Sequence, residues 1–235
     1  MLYSLHSMEV IRLDLHEKLT RVITSAKILF IVPGYAETKM ADIATHANLA
    51  VGTLYSLFRS KDDLLKFVFA STLDSMIIDH VQTLPVIPLS DDELVTHTAE
   101  IYQQATHQLH KLTTNYSTDA RFSAMLDYLF ANFHQYGAYF LILERNPQMS
   151  PALLKLYKHY RQQLYTDVAQ LLATLVASGE VRYLSHPEND ALLIIDQIFW
   201  WSAHKQYDSF DHQTNHFDQQ QMKNCVIQQL TASYT

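Results

Sequence analysis

The segment TKMADIATHANLAVGTLYSLFRSK, residues 38–61, carries the side chains with the clearest chemical role. Its cationic side chains suit contacts with phosphate groups, and they are Lys39, Arg59 and Lys61. Apolar residues recur at steps of three and four, which predicts a short helix with one buried face formed by Met40, Ile43, Ala44 and Ala47. Thr38 precedes this helix and has a side chain suited to cap it.

A sharp turn and a second short helix follow. Asn48 tolerates a left-handed backbone, and Leu49 can fill the angle between the two helices. Leu54 and Phe58, four residues apart, face the core and leave the other faces to a ligand. Gly52 costs roughly 1 kcal/mol relative to alanine in a helix, so we infer that something approaches the backbone there. The pair predicts a helix-turn-helix whose second, recognition helix meets duplex DNA.

A further helix begins at Lys61. Ser60 and Asp63 have the spacing of a capping box. The first amide groups of this helix and the Lys61 ammonium together predict a phosphate site, because helix N-termini attract anions. The alternative is that Lys61 is a solvated surface lysine.

Over about residues 14–66 the sequence resembles the DNA-binding domain of the TetR family of bacterial transcriptional regulators. The resemblance rests on ITSAKILF, the Gly34-Tyr35 turn, the helix-turn-helix, the run Gly-Thr-Leu-Tyr and the cap Phe-x-Ser-Lys, which occur in the family's order and spacing. It implies phosphate contacts from Thr38, Lys39, Thr53, Tyr55 and Lys61. It also implies that Val51, Gly52 and Ser56 lie near base edges. The predicted DNA-binding residues are Thr38, Lys39, Ala50, Val51, Gly52, Thr53, Tyr55, Ser56, Arg59 and Lys61.

Three residues depart from the family pattern. Asn48 stands where glycine is usual, Ala50 where serine is usual, and Leu57 where tyrosine or histidine is usual. Ala50 provides no side-chain cap, which typically costs on the order of 1 kcal/mol. Leu57 provides no phosphate hydrogen bond, and we expect it to pack inward rather than against a thymine methyl group. These departures are consistent with operator binding that is weaker than, or different from, that of the family.

Composition and motifs favour an all-α protein that has neither a disulfide nor a catalytic site. The chain has 235 residues, 48% of them hydrophobic, and only four glycines, so it can bury a large core and lacks the turn residues of a sheet-rich fold. Cys225 is the single cysteine, which excludes an intrachain disulfide. No apolar run is long enough to span a bilayer, and no basic leader precedes an apolar stretch, so we expect a cytoplasmic protein. No catalytic motif is present, and we expect no enzyme activity and no cofactor.

Histidine spacing gives little support for a metal site. His107 and His110, and likewise His212 and His216, lie at spacings that a helix face could use, but each pair lacks two further ligands of obvious spacing. We therefore predict no bound metal.

Charge divides the chain into two parts. Residues 1–66 contain eight Lys and Arg against seven Asp and Glu, whereas residues 67–235 contain nine against seventeen. The predicted DNA-binding part is therefore almost neutral, and its affinity would depend on the few lysines and arginines named above. We predict an all-α fold in which a three-helix, helix-turn-helix DNA-binding domain at residues 1–66 is joined to a larger all-helical effector-binding and dimerisation domain at residues 67–235.

Helix signals continue along the second part. We predict helices from Lys61 to about Leu84, from Asp92 to about Leu112, and from Asp119 to Asn146 with a possible break at Gly137. Ser150 and Pro151 begin a long helix that Gly179 ends, and apolar residues at steps of three and four give it a packing seam: Leu153, Tyr157, Tyr160, Leu164, Val168, Leu171 and Leu175. A last apolar helix is predicted from Glu188 to Tyr207.

Two further sites follow partly from the resemblance. The segment from residue 116 to 139 is rich in aromatic residues, and in the family this region encloses an effector site. The candidate ligand-binding residues are Phe122, Met125, Tyr128, Phe133, Tyr136 and Tyr139, with the alternative that most are ordinary core residues. The family pairs its last two long helices with those of a second copy, so the candidate dimer residues are Leu164, Val168, Leu171, Leu175, Ile195, Ile198 and Phe199. A monomeric core is the alternative.

The resemblance and the motif together predict a ligand-responsive DNA-binding transcriptional regulator. We expect a repressor that binds a palindromic or pseudo-palindromic operator as a homodimer and is released by a small apolar or aromatic effector. The alternative is a TetR-fold protein-interaction module in which sequence-specific DNA binding has been altered or lost.

Overall fold

The regular secondary structure of the described residues is entirely helical. The structure is a computed structural model and describes residues 2–115, 120–207 and 218–235. Over these ranges there are nine α-helices and no β-strand, which confirms the predicted all-α class. The helices are α1 (Leu2–Leu29), α2 (Met40–His46), α3 (Val51–Leu57), α4 (Lys61–Leu73), α5 (Asp91–Asn115), α6 (Arg121–Arg145), α7 (Pro151–Ala177), α8 (Pro187–Ser202) and α9 (Gln219–Tyr234).

The chain forms two compact units. The first contains Met1–His97 and Ile142–Asn146, and the second contains Thr98–Leu141 and Pro147–Thr235. Two helices, α5 and α6, therefore continue from one unit into the other along the chain. The predicted domain boundary after residue 66 lies inside α4, where the helix has no break, and as a boundary between functions it stays a prediction.

The first unit packs α1 against the helix-turn-helix formed by α2 and α3. The buried face of α1 consists of apolar side chains at steps of three and four, namely Leu19, Val22, Ile23 and Ala26. The helix-turn-helix contributes three core side chains that have no solvent exposure, namely Ile43, Leu54 and Phe58. Apolar burial thus determines which faces of these short helices remain outside.

The turn between α2 and α3 has a left-handed residue, as predicted. Asn48 has φ of 52°, and the Leu49 N–H donates to the Ala44 carbonyl at 2.9 Å, which closes the end of α2. Arg21 of α1 reaches the same turn. Its guanidinium donates to the carbonyl of Ala47 at 2.9 Å and to that of Asn48 at 2.6 Å. The cation therefore neutralises the negative end of α2 and holds the turn at a set position.

The connection between α1 and α2 uses a second polar anchor. The side chain of Asn146, at the end of α6 and within the first unit, accepts from the Tyr35 N–H and donates to the Phe30 carbonyl, both at 2.8 Å. Gly34 has φ of 122°, a conformation that suits glycine, and faces the same amide. Both ends of this turn are thereby tied to one side chain.

The predicted helix from Lys61 to Leu84 is too long. Helix α4 ends at Leu73, and one short 3-10 turn at Ser75–Ile78 follows. The Asp74 carboxylate accepts from the Met76 N–H at 2.9 Å, a local bond that competes with helix continuation. The next helix begins at Asp91, where Ser90 and Glu93 exchange side-chain and backbone hydrogen bonds.

In the second unit the long helices pack along one another. The seven seam residues predicted on α7 are all buried, and the Ser150 hydroxyl accepts from the Leu153 N–H as predicted. Helix α6 runs through Gly137 without a break. The glycine makes room for Ala203, which a Cβ at this position would overlap. Its predicted start, Asp119, lies outside the described residues. Helix α8 ends at Ser202, five residues before the predicted end, and a 3-10 turn at His204–Tyr207 follows.

We predict that Arg21→Ala lowers the free energy of unfolding by about 1–2 kcal/mol, because charged hydrogen bonds to two carbonyls are lost. The measurement is urea unfolding of the full chain followed by circular dichroism. Arg59→Ala, which removes an exposed arginine from the same unit, is the control and should change little. Equal stability of the two variants would contradict a structural role for Arg21.

Candidate nucleic-acid interface

Helix α3 presents one continuous exposed face. Leu54 and Leu57 of this helix are buried, and the opposite face contains Val51, Gly52, Tyr55 and Ser56, all exposed. Val51 and Tyr55 are 40% and 51% exposed, high values for an aliphatic and an aromatic side chain. Because residues four apart share a helix face, these side chains form a narrow ridge of the size that enters a DNA major groove.

The structure shows the surroundings of Ala50 and Leu57, two of the residues that depart from the family pattern. Ala50 is the N-cap residue of α3 and makes no side-chain hydrogen bond, as its type requires. Leu57 is buried, so the prediction that it packs inward is confirmed. Gly52 is open to the outside, with nothing within 4 Å of the position that a Cβ would take. The backbone of α3 is therefore accessible to a close ligand at this point.

Lys61 is not simply a solvated surface lysine, because its ammonium has partners within the chain, and a phosphate contact from it stays a prediction. Its ammonium donates to the carbonyls of Tyr35 and Thr38 at 2.7 and 2.9 Å and lies 4.2 Å from the Tyr35 ring centroid. The first turn of its own helix contains Asp62 and Asp63, and the Ser60 hydroxyl already accepts from the Asp63 N–H. Lys61 is therefore a positioning residue that ties α4 to the turn before α2.

Thr38 is also internal. It is only 1% exposed, and its hydroxyl donates to the carbonyls of Leu29 and Gly34. The prediction that Thr38 caps α2 is wrong, because Lys39 occupies the N-cap position and the Asp42 carboxylate accepts from its N–H at 2.8 Å. The exposed cations near the helix-turn-helix are Lys39 and Arg59.

The candidate ligand-binding residues separate into different environments. Tyr128 and Tyr136 line a cleft of about 520 Å³ between α5 and α6, in the second unit. Phe122, Met125 and Tyr139 are buried in the core, and Tyr139 shares a hydrogen bond with Thr98 at 3.0 Å. Phe133 packs against the ring of Phe199. The six residues therefore do not form one pocket, and a ligand role for each stays a prediction.

The cleft has a lining rich in amide groups. Beside the two tyrosines it contains five amide side chains, namely Gln103, Gln104, Gln108, Asn132 and Gln135. The Tyr128 hydroxyl donates to the Ala105 carbonyl at 2.6 Å, and burial raises the pKa of both tyrosines. These hydroxyls thus stay protonated near neutral pH. Among the described residues the lining also contains His107 and no Lys, Arg, Asp or Glu, so it is more polar than expected for the apolar or aromatic effector that the sequence predicts.

The candidate dimer residues are internal to a single chain. All seven are buried, mainly through the packing of α7 on α8. As contacts to a second copy they stay a prediction. The exposed apolar side chains of α8 are Leu192, Leu193 and Trp200. Leu192 also lines a groove of about 370 Å³ with Ala169 and Ala173 of α7, together with polar residues such as Gln170 and Glu188. This surface is the outer face of the α7–α8 pair.

Other site types find little support in the described part of the chain. It has no cluster of three His, Cys, Asp or Glu residues arranged to hold a metal. His212 and His216 lie outside it. Cys225 is exposed on α9. None of the described helices is both long and apolar enough to cross a membrane.

Two functional positions were missed by the sequence analysis. Arg21 sits beside the apolar stripe of α1, and Asn146 precedes Pro147 at a predicted helix end. Both act on backbone carbonyls far away in sequence, so no local spacing indicates them. The amide-rich cleft had a signal, because Gln104 and Gln108 on α5 lie one helical turn apart.

Comparison with known proteins places these features in a family. Residues 22–68 match the profile described as bacterial regulatory proteins, tetR family. This range contains the helix-turn-helix, the Arg21-held turn and the start of α4. No curated protein sequence matches the chain significantly.

Solved structures share the fold at low sequence identity. A ketosteroid transcriptional regulator of Mycobacterium tuberculosis is 15% identical, with 92% of this chain and 94% of that one covered and a TM-score of 0.57. AibR, solved in complex with isovaleryl coenzyme A and operator DNA, is 12% identical, with 90% and 97% covered and a TM-score of 0.50. Identities this low show a common fold alone. The family match itself is carried by residues 22–68, the part of the chain that contains the helix-turn-helix of bacterial regulatory proteins of the tetR family.

Proposed function

We propose that this protein is a ligand-responsive transcriptional repressor that binds a palindromic or pseudo-palindromic operator as a homodimer. The observation that carries the proposal is the exposed ridge of α3, which polar bonds from α1 and α4 hold in position. Val51, Gly52, Tyr55 and Ser56 face outward although the side chains of Val51 and Tyr55 would pack well in a core. A surface ridge of this kind is explained by a ligand that covers it.

Contacts to the DNA backbone come from residues beside the ridge. Lys39 and Arg59 flank the helix-turn-helix in sequence and are exposed, so they can reach phosphates. Thr53 and Tyr55 add hydroxyl groups. Thr38 and Lys61 support this surface from within, since their polar atoms bond to carbonyls of the α1–α2 connection. Ala50 and Gly52 leave room for the strand that passes closest to α3.

Assembly as a dimer would use the outer face of α7 and α8. Leu192, Leu193 and Trp200 are exposed on α8, and the small side chains Ala169 and Ala173 on α7 allow a second helix pair to approach. Burying exposed apolar area is the main driving force for such association. A two-fold dimer presents two recognition helices, which suits an operator with two half-sites.

An effector would enter the cleft between α5 and α6. Because the lining combines tyrosine rings with amide groups and His107 and has neither Lys nor Arg, the cleft suits an aromatic or polar molecule that carries hydrogen-bonding groups. Helices α5 and α6 both continue into the first unit, where Asn146 follows the last turn of α6 and bonds to the α1–α2 connection. Effector and DNA would then act on connected elements, and each would weaken the other's binding.

The second candidate is a protein-interaction module without sequence-specific DNA binding. Three observations favour it: the uncapped Ala50, the buried Leu57, and the Lys61 ammonium already bonded to carbonyls. The almost neutral charge of residues 1–66 points the same way. In this case the acidic second part of the chain would contact a partner.

DNA selection separates the two candidates. We expect the full chain to enrich discrete fragments of its source organism's DNA and to bind them with an affinity that falls steeply with salt. Lys39→Ala and Arg59→Ala should each reduce the slope of log affinity against log salt by about one per protomer. Lys155→Ala, an exposed lysine of α7, should leave the slope unchanged. Failure to prefer any fragment over bulk DNA would favour the interaction module.

The dimer proposal predicts a mass near twice the chain mass of 27.2 kDa in light scattering at micromolar concentration. Leu193→Glu should shift this mass to that of one chain, because it places a charge in the centre of the apolar face. Leu193 is 65% exposed, so the variant should fold. Ile87→Glu, at another exposed apolar site, is the matched control. A wild type that sedimented and scattered as a monomer would refute the assembly.

The effector proposal predicts that a side chain filling the cleft prevents a small molecule from releasing the protein from its operator. Ala131 is exposed on the cleft wall, so Ala131→Trp should keep operator affinity and lose release by any small molecule that dissociates the wild-type complex. Ala152→Trp, at an exposed alanine of α7, should respond like the wild type. The readout is fluorescence anisotropy of labelled operator. Normal release of the Ala131→Trp variant would place the effector elsewhere.

A further inference from the structure

The exposed face of α3 lacks the side chains that read most bases. Discrimination in the major groove uses Arg or Lys for guanine, Asn or Gln for adenine, and Asp or Glu for cytosine. Helix α3 has the sequence VGTLYSL and contains none of these six residue types. This inference rests on the proposed function, because it concerns how the same ridge would recognise an operator.

The hydroxyl groups of α3 cannot supply the missing discrimination. Serine and threonine hydroxyls pair with donors or acceptors alike, so they tolerate several bases. Ser56 is further restricted, because its hydroxyl proton is donated to the Thr53 carbonyl at 2.6 Å and only its lone pairs face outward. Tyr55 has a longer reach, which suits a phosphate oxygen as well as a base edge.

Apart from the side chains that carry hydroxyl groups, the ridge is aliphatic. Val51 is 40% exposed at the first position of α3, Ala50 is exposed directly before it, and Gly52 beside it adds no bulk. The only aliphatic group that B-DNA presents in its major groove is the C5-methyl of thymine. The isopropyl group of Val51 and that methyl group are therefore complementary by chemistry and size.

We propose that this protein reads its operator through thymine methyl groups, with Val51 as the specificity-determining residue in each half-site. The contact is hydrophobic and needs no hydrogen bond. The backbone cations bring affinity without sequence preference, and the methyl contact selects the register. Each half-site then contains at least one thymine whose methyl group touches Val51.

Substitution of thymine by deoxyuridine tests this directly, because it removes one methyl group and keeps the base pairing. The probe is the strongest duplex from the genomic selection, with each thymine replaced singly. We expect about fourfold weaker binding of the full chain for each contacted methyl group. Thymines outside the contact should be insensitive. A duplex bound equally well with uracil at every position overturns the proposal.

A double-mutant cycle assigns the effect to Val51. Val51→Ala should bind the thymine duplex more weakly and should lose the penalty for deoxyuridine at the contacted position. Val32→Ala is the matched control, since Val32 is 38% exposed and lies in the same unit; it should keep the full penalty. If Val51→Ala keeps the penalty too, uracil acts through DNA shape and the proposal is wrong.

The outcomes separate this proposal from the proposed function. Specific binding without sensitivity to uracil refutes thymine readout and leaves the regulator standing. Absence of specific binding refutes both. Thermal melting of Val51→Ala followed by circular dichroism should match the wild type, because the replaced side chain is exposed, so a loss of affinity reports on recognition.

Discussion

The position of α3 depends on a small set of bonds to backbone carbonyls. Arg21 holds the end of α2 and the left-handed Asn48, and Lys61 holds the connection that precedes α2. Both cations donate hydrogen bonds to carbonyls of the chain itself. Both neutralise carbonyl dipoles of a helix-turn-helix that is too short to be stable alone, since each of its helices has seven residues. The recognition surface is therefore a product of the packing around it.

The bonds of Arg21 and Lys61 to carbonyls affect how much hydrogen-bonding positive charge the helix-turn-helix can offer to DNA. A cation that already donates to carbonyls has fewer N–H groups left for phosphates, so the almost neutral amino-terminal part would offer fewer phosphate contacts than its composition implies. The ridge of α3 is correspondingly apolar, with Val51 and Tyr55 as its main features. A regulator built in this way would rely on shape and methyl contacts more than on electrostatic attraction. Its affinity would then respond strongly to small changes at the ridge.

Much of the first unit could be predicted from sequence because its signals are local. The spacing of Leu54 and Phe58, the turn at Asn48 and the cap at Ser60 each involve neighbours within a few residues, and the structure confirms them. The roles of Thr38 and Lys61 could not be predicted, because their partners lie elsewhere in the chain. The end of α4 at Leu73 was missed for a different reason. The Asp74 side chain accepts a hydrogen bond from a backbone N–H in place of a helical carbonyl, and no proline or glycine marks this position in the sequence. In the second unit, burial of the α7 seam followed from periodicity, whereas the amide-rich cleft depends on how α5 and α6 face each other.

The central claim is that two copies of α3 enter the major groove of one duplex. Hydroxyl-radical footprinting of the full chain on a selected genomic fragment measures this most directly. The account predicts two protected segments on one face of the duplex, centred about 10 base pairs or a multiple of that distance apart. Protection spread evenly along the fragment would contradict it. So would the absence of protection at a protein concentration at which the chain is fully dimeric.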